Sequence, residues 1–178
     1  MKTLHRHGIF RRLLAAVVLS TLLGSLGGCS KQESAVQAIE PTREAMCALD
    51  GMILVDYPGP KGQIVYKDGS REFYCDTVEL LSIYLRPEQK KRIQAIFTQD
   101  MGKADWNEPR DHWIDATKAY YVQGSDLHGS MGPTFATFAS KEDAEAFIKE
   151  HGGKLLRFED ITIDMVDLRG GAKHDHGM

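Results

Sequence analysis

The chain has 178 residues, and its 25 acidic against 22 basic side chains give a formal net charge of −3. This length suits one compact domain with a real core. An acidic balance without a basic stripe or an aromatic platform makes nucleic acid a poor partner.

The first 28 residues have the organisation of a secretory signal peptide. Four basic and no acidic side chains precede an apolar run over residues 13–26, too short to span a bilayer comfortably. The run closes with Leu26-Gly27-Gly28-Cys29, which resembles a lipobox. Cys29 is therefore expected to carry a lipid and to become the mature N-terminus. Ordinary signal cleavage beside an incidental cysteine is the alternative.

Lipidation would tether the mature chain to a bacterial membrane on its periplasmic side. Loss of the signal peptide lowers the formal net charge from −3 to −7. Ser30 follows the lipobox where an aspartate would favour inner-membrane retention, so by resemblance to Gram-negative lipoproteins the outer membrane is a possible destination. Residues 29–43 lack apolar periodicity and are predicted to form a flexible tether.

The mature chain is predicted to begin with a loop and a hairpin. Residues 44–60 lack a clear period and end in Pro58-Gly59-Pro60, which indicates a loop, a short strand and a hard turn. Two strand-like runs, residues 63–67 and 71–74, flank Asp68-Gly69. That dipeptide favours tight turns because glycine accepts a positive φ, so a β-hairpin is predicted.

Two helical segments are predicted after this hairpin. Asp76 stands three residues before Glu79, the spacing of a capping box that opens a helix. Pro87 interrupts the helix, and residues 88–97 predict a second helical stretch. The side chains expected to face inward in that stretch are Ile93, Ile96 and Phe97.

The second part of the mature chain repeats the order of the first. Residues 101–115 lack a clear period and are predicted to be a linker. Strands are predicted over residues 116–122 and 134–139, joined by a glycine-rich loop that contains His128 and Met131.

A helix and a strand complete this second part. Ser140 and Asp143 resemble another capping box, Gly152-Gly153 stops the helix, and residues 154–158 read as a strand. Two β-β-α-β halves in an α+β fold are therefore predicted, with the halves at about 44–100 and 101–168. Residues 169–178 are predicted to be a disordered tail.

The mature chain contains Cys47 and Cys75 besides the lipobox cysteine. In an oxidising compartment such a pair can form a disulfide, which stabilises a fold by constraining the unfolded chain. A buried free thiol is the other structural interpretation of Cys75.

Cys47 has soft ligands close to it in the sequence, because Met46 adjoins it and Met52 follows five residues later. A thiolate and thioethers suit Cu(I) and suit Mg²⁺ or Ca²⁺ poorly. The sequence therefore predicts a Cu(I) site with Cys47, Met52 and Met46 as ligands. Core packing by the methionines is the alternative.

Other metal-ligating residues are weaker candidates. A structural zinc site usually requires four ligands with closely spaced cysteine or histidine pairs, and neither Cys47 nor Cys75 has a cysteine neighbour, so zinc ranks behind copper. His128 and Met131 are second-rank copper ligands. The terminal sequence His174-Asp175-His176-Gly177-Met178 could bind metal adventitiously.

The same motifs resemble the NosL family of nitrous oxide reductase accessory lipoproteins. The likeness extends from the lipobox to about residue 160. It is carried by Met46-Cys47, Gly51-Met52, Pro58-Gly59-Pro60-Lys61-Gly62-Gln63, Gly129-Ser130-Met131-Gly132-Pro133 and the helix before Gly152-Gly153.

The resemblance implies a Cu(I)-binding periplasmic lipoprotein with two β-β-α-β halves that resemble part of organomercurial lyase. It implies copper delivery for assembly of the copper centres of nitrous oxide reductase, together with a membrane ABC-type assembly complex. Cys47 would be the thiolate ligand and Met52 a thioether ligand, with Met46 next. Some relatives have a second cysteine where this chain has Asp50, which implies a site with a single thiolate.

Two other function classes remain open from the sequence. A thiol-dependent lyase or redox enzyme related to organomercurial lyase would use two thiols and an acid, for which Cys47, Cys75 and Asp50 are the candidates. No phosphate loop, Gly-x-Ser-x-Gly or His-Glu-x-x-His motif supports another catalytic scheme, so a non-enzyme is favoured. A structural lipoprotein whose methionines merely pack is the third class.

Overall fold

The computed structural model describes residues 35–166 and Leu168. The predicted signal peptide (residues 1–28), the predicted lipidation residue Cys29 and the predicted tail (residues 169–178) lie outside these residues. Among the described residues, residues 36–166 belong to one compact unit. Within the described part, no helix has the length and apolar character needed to cross a membrane.

Within the described residues, the fold consists of two antiparallel sheets and three helices. The first sheet has the order β2-β1-β3-β4 and the second has the order β6-β5-β7. The strands are β1 (Gly62–Tyr66), β2 (Arg71–Tyr74), β3 (Ile93–Gln99), β4 (Trp113–Asp115), β5 (Tyr120–Gly129), β6 (Gly132–Phe138) and β7 (Lys154–Arg157). The helices are α1 (Thr77–Tyr84), α2 (Pro87–Lys90) and α3 (Lys141–His151), with single 3-10 turns at Leu54–Asp56, Phe158–Asp160 and Ile163–Val166.

The predicted α+β class with two β-β-α-β halves is confirmed. In each half the first strand lies between the second and third, as β2-β1-β3 and as β6-β5-β7, and a helix connects the second strand to the third. The halves therefore share one topology. Strand β4 extends the first sheet from within the predicted linker, since Trp113 pairs with Gln99. A strand of three residues is too short to show a period.

The predicted helix over residues 88–97 is wrong in its second part. Only Pro87–Lys90 is helical, and from Ile93 the chain continues as β3, antiparallel to β1, with Ile96 opposite Ile64. Ile93 and Ile96 are buried, as expected, and Phe97 is half-buried. The β-branched residues here pair along the free side of β1, and this tertiary pairing overrides the local helical spacing.

Three shorter expectations also need correction. The short strand expected within residues 44–60 is a single bridge between Met46 and Ile53 followed by the 3-10 turn Leu54–Asp56. Strand β5 begins at Tyr120 and runs to Gly129. His128 therefore lies on a strand instead of in a loop, since the hairpin turn is much tighter than expected.

Helix α1 is buried between the two halves and links their cores. Leu80 packs in the cluster that contains Ile64 and Tyr74, whereas Val78 and Leu81 pack in the cluster around the second sheet. All residues from 77 to 82 are buried. Because both flanks of the helix face protein, a polar side chain in its first turn must be held inside.

The contact between α1 and β1 depends on the absence of a side chain at Gly62. A Cβ atom there would lie 2.7 Å from Leu80 Cβ and 2.9 Å from Leu80 Cδ2. Gly62→Ala is therefore expected to lower the free energy of unfolding by about 1–3 kcal/mol through overpacking. Denaturant unfolding measures this loss as a lower midpoint with an unchanged m-value. An unchanged midpoint would contradict the close approach of β1 to α1 at Gly62.

Candidate metal centre

Cys47 is held inside the molecule by a small hairpin, residues 46–53, here called the Cys47 hairpin. The Cys47 N–H donates to the Met52 carbonyl at 2.8 Å, and the Gly51 N–H donates to the Cys47 carbonyl at 3.0 Å. Gly51 has a φ of +78°, which a glycine adopts without strain. Neighbouring residues on such a ladder face opposite sides, so Cys47 is 3% exposed while Met46 is 58% exposed.

Cys75 and Glu79 reach the same place from the junction of β2 with α1. Cys75 follows the strand directly, and Asp76 caps the helix by accepting the Val78 N–H at 2.8 Å. The predicted helix start at Asp76 is confirmed, but the reciprocal half of the capping box is not formed, because the Glu79 carboxyl group contacts the cysteines instead. Cys75 and Glu79 are four residues apart, a spacing that places both side chains on one face, and both are completely buried.

Four side chains converge here, and we call Cys47, Asp50, Cys75 and Glu79 the dithiol cluster. Glu79 Oε2 lies 3.1 Å from Cys47 Sγ and 3.2 Å from Cys75 Sγ. Asp50 Oδ2 lies 3.8 Å from Cys75 Sγ. One ligand atom from each residue falls within 4.8 Å of all the others.

One oxygen of the dithiol cluster is unsatisfied. Glu79 Oε1 is buried and has no hydrogen-bond partner among the described residues. Leaving a buried acceptor unpaired costs about 1–3 kcal/mol. A cation among the four side chains would compensate that oxygen, so the chemistry of the cluster fits a metal ion.

The β5–β6 turn forms another wall of the cluster. Ser130 Oγ lies 3.0 Å from Cys75 Sγ. Met131 follows it and is 39% exposed. The turn contains only these two residues between Gly129 and Gly132, which pair across the hairpin. The Met131 thioether therefore lies on the surface, next in sequence to Ser130, which contacts the Cys75 thiol.

The two thiols have opposite electrostatic environments. A hydrogen bond from the Cys75 thiol lowers the pKa of Cys47 to about 6, against the opposing effect of burial. The hydrogen bond to Cys47, together with burial, raises the pKa of Cys75. Burial and the contact with Cys47 raise the pKa of Glu79 to about 8. At neutral pH the cluster therefore holds a Cys47 thiolate flanked by two protonated groups.

A buried ammonium group lies behind the cluster. Lys61 is 2% exposed, and its Nζ donates to the carbonyls of Tyr57 at 2.7 Å, Pro58 at 3.0 Å and Cys75 at 3.2 Å. Burial lowers its pKa to about 8, while the negative charges around it, those of the two cysteines among them, act in the opposite direction. Lys61 thus anchors the backbone of Cys75 and offsets negative charge.

The structure brings together only part of the predicted ligand set. Met52 faces the same side of the Cys47 hairpin as Cys47 and packs against the core cluster that contains Ile64 and Tyr74. Met46 is on the outer side. His128 is exposed, and its carbonyl accepts the Trp106 indole N–H at 3.1 Å. None of these placements tests metal ligation, so the methionine and histidine assignments stay predictions.

Three residues of the cluster were not among the predicted ligands. Cys75 was considered for a disulfide, a buried thiol or a lyase, Asp50 for the lyase, and Glu79 only for a capping box. The expected single-thiolate site stays a prediction, and the structure adds a second candidate sulfur, that of Cys75, beside that of Cys47. The Cys75-x-x-x-Glu79 spacing at the start of a helix is the sequence signal that could have revealed Cys75 and Glu79. Cys47 and Cys75 are both free thiols.

The ionisation of Cys47 is directly measurable. In the reduced chain with Cys29 replaced by serine, one thiolate should form with a midpoint near pH 6, because Cys47 has its pKa lowered to about 6. Cys75→Ala should raise that midpoint, since it removes the largest stabilising contact. Ultraviolet thiolate absorbance across pH measures both. A wild-type chain without any thiolate at neutral pH would contradict this environment.

The chain is similar to proteins of one family. A NosL family model matches residues 38–166. The chain is 41% identical over 185 aligned residues to the copper-binding lipoprotein NosL of Stutzerimonas stutzeri, covering 99% of this chain and 94% of that protein. It is 37% identical over 164 residues to the copper-binding lipoprotein NosL of Achromobacter cycloclastes, covering 88% and 84%.

One solved structure supports the same likeness. The crystal structure of the copper chaperone NosL from Shewanella denitrificans aligns with a TM-score of 0.67 at 38% identity. The alignment covers 71% of this chain and 96% of that chain. All four residues of the dithiol cluster lie within the segment that the family model matches.

Proposed function

This chain belongs to the NosL family, and we propose that it binds Cu(I) between the thiols of Cys47 and Cys75 and carries it as cargo. The observation that carries the proposal is the convergence of two buried sulfurs on one oxygen of Glu79, whose other oxygen is unpaired among the described residues. The choice of copper as the metal is supported by the relatives, which are named copper-binding lipoproteins. Copper is preferred over hard cations because thiolates are soft donors.

The oxidation state follows from the donors. Cu(I) has a filled d shell and accepts two or three ligands without strict geometry, so two thiolates are sufficient. The Cys47 thiolate is available at neutral pH, and metal binding would displace the proton of Cys75. A nearby thioether, from Met52 within the hairpin or from Met131 on the surface turn, would complete a third position.

Release requires a route for ligand exchange. Asp50 is exposed at the edge of the dithiol cluster, and the side chain of Met131 is exposed on the β5–β6 turn beside it. Neutral thioethers exchange more readily than thiolates do. Copper would therefore leave stepwise to an acceptor that offers more or stronger sulfur ligands.

The setting of this activity is the periplasmic side of a bacterial membrane, with Cys29 as the lipid-bearing residue. The lipobox and the relatives named as lipoproteins support this anchor. The recipient we propose is the maturation machinery of nitrous oxide reductase, including a membrane ABC-type complex, as the family resemblance implies. Denitrifying cells that lack this chain should accumulate the reductase without its full copper content.

Anaerobic titration with Cu(I) against a competing chelator tests the binding. One ion per chain should bind tightly and without turnover, and a chain that binds none would remove the proposal. Membrane fractionation of Cys29→Ser tests the anchor separately. Unchanged membrane retention of this variant would assign the anchoring to another feature.

A thiol-dependent lyase is a second candidate, because the structure brings its three nominated groups together. Cys75 Sγ lies 3.8 Å from Asp50 Oδ2 and, like Cys47 Sγ, contacts Glu79. Two thiolates could bind mercury while a protonated carboxyl group transfers its proton to the departing carbanion. Repeated turnover of an alkylmercury substrate with an excess of small thiol would support this reaction, whereas a single stoichiometric binding event would support the carrier.

A further inference from the structure

Cu(I) carried by two thiolates makes no use of the two carboxyl groups of the dithiol cluster. Glu79 is completely buried, yet one of its oxygens is unpaired among the described residues. Asp50 has its Oδ1 occupied by the Met52 N–H at 2.9 Å, which leaves Oδ2 directed to Cys75. These oxygens are hard donors, and a soft monovalent ion has little use for them.

We infer that the dithiol cluster is also a four-coordinate site for a divalent d¹⁰ ion, Zn²⁺, with Cys47, Cys75, Glu79 and Asp50 as its ligands. This inference rests on the proposed copper site, since the two thiolates are shared between the two ions. It adds the two carboxylates as ligands that only the divalent ion requires.

The donor geometry fits a tetrahedron. Zinc binds thiolate sulfur at about 2.3 Å and carboxylate oxygen at about 2.0–2.2 Å, which places neighbouring donors about 3.3–3.8 Å apart. The sulfur–oxygen distances are 3.1 Å for Cys47–Glu79, 3.2 Å for Cys75–Glu79 and 3.8 Å for Cys75–Asp50. The other three donor pairs lie within 4.8 Å of each other, so an ion at the centre would need shifts of at most about one ångström.

Charge and support also favour a divalent ion. Two thiolates and two carboxylates carry four negative charges when ionised, of which Zn²⁺ neutralises two and the buried Lys61 ammonium offsets one more. The Met52 N–H donates to Asp50 Oδ1 and orients that carboxylate, which is the hydrogen-bonded outer support that metal ligands commonly have. The exposed position of Asp50 leaves one side of the ion accessible.

A consequence is that the carboxylates set metal preference. Removing either carboxylate takes away one of four zinc ligands but none of the copper thiolates. Zn²⁺ and Cu(I) compete for one site, so each should displace the other. A cell with excess zinc would then occupy the carrier with the wrong ion.

The test measures Zn²⁺ and Cu(I) affinities of the reduced full chain with Cys29 replaced by serine, each against a chelator. Asp50→Asn and Glu79→Gln should each weaken Zn²⁺ binding by about 10–100-fold, as losses around metal sites commonly do, while Cu(I) affinity changes less than about threefold. Asp56→Asn, an exposed acidic residue just beyond the hairpin, is the matched control and should leave both affinities unchanged. Unfolding midpoints verify that each variant is folded.

Co²⁺ provides a spectroscopic probe of the same ligands. The wild-type chain should show a thiolate charge-transfer band and the intense visible bands of tetrahedral Co²⁺, and both carboxylate variants should lose intensity in the visible bands. Absence of Zn²⁺ binding, or unchanged Zn²⁺ affinity in both variants, would overturn the inference. Normal Cu(I) binding in that case would leave the proposed function intact, whereas loss of Cu(I) binding by the wild-type chain would remove the proposed function itself.

Discussion

Cys47→Ser is expected to lower Cu(I) affinity by at least about a hundredfold, which corresponds to about 2.8 kcal/mol. Cys47 is the sulfur that is ionised at neutral pH, since its pKa is lowered to about 6. A serine hydroxyl is hard and remains protonated, so it replaces neither the charge nor the softness of the donor. Anaerobic chelator competition at fixed pH measures the loss.

The other variants should follow a definite order. Cys75→Ser should lose nearly as much affinity as Cys47→Ser, because Cys75 Sγ contacts the same Glu79 oxygen and would be the second thiolate. Met52→Leu, which is similar in volume and apolar, should lose less than about tenfold. Met46→Leu on the outer side of the Cys47 hairpin is the control and should lose least.

Two outcomes would change the site assignment. Full affinity in Cys47→Ser would remove the dithiol cluster as the copper site. Full affinity in Cys75→Ser together with a large loss in Met52→Leu would restore the single-thiolate site that the sequence predicts. Because the sulfurs of Cys47 and Cys75 lie within 4.8 Å of each other and can exchange or oxidise, each measurement needs a reduced sample.

The order of the elements could be predicted because their signals are local. Turn dipeptides and N-caps such as Asp76 and Ser140 mark the element boundaries within a few residues. Strand β3 was missed because its identity depends on pairing with β1, thirty residues earlier. Its apolar spacing is compatible with either structure, and only the partner strand decides between them.

Only the part of the site that lies in one short segment could be predicted, because only local signals can be read from the sequence. Met46, Cys47 and Met52 form a local soft cluster that can be read directly, but a hairpin places neighbouring residues on opposite faces, so Met46 and Cys47 separate. Cys75 and Glu79 come from a different element. Their approach depends on the packing of α1 between the two halves, which no local pattern encodes.

Lys61→Met is expected to cause the largest loss of stability among these variants, about 3–5 kcal/mol of unfolding free energy, as when one partner of a buried charge network is removed. Its Nζ is the donor for three carbonyl groups, those of Tyr57, Pro58 and Cys75. Methionine fills a similar volume but donates no hydrogen bond. Three carbonyl oxygens would lose that donor in the protein interior, and each unpaired group carries its own penalty.

Lys67 provides the matched control for this change. Its ammonium group also donates to a backbone carbonyl, that of Lys91 at 2.8 Å, but at an exposed position where water can replace it. Lys67→Met should therefore change the unfolding free energy by less than about 0.5 kcal/mol, as surface substitutions usually do. Denaturant unfolding of the two variants side by side measures the difference. Equal stability of both would show that the buried ammonium contributes nothing, whereas a large loss confined to Lys61→Met would identify it as the group that holds the Cys75 backbone beside the thiols.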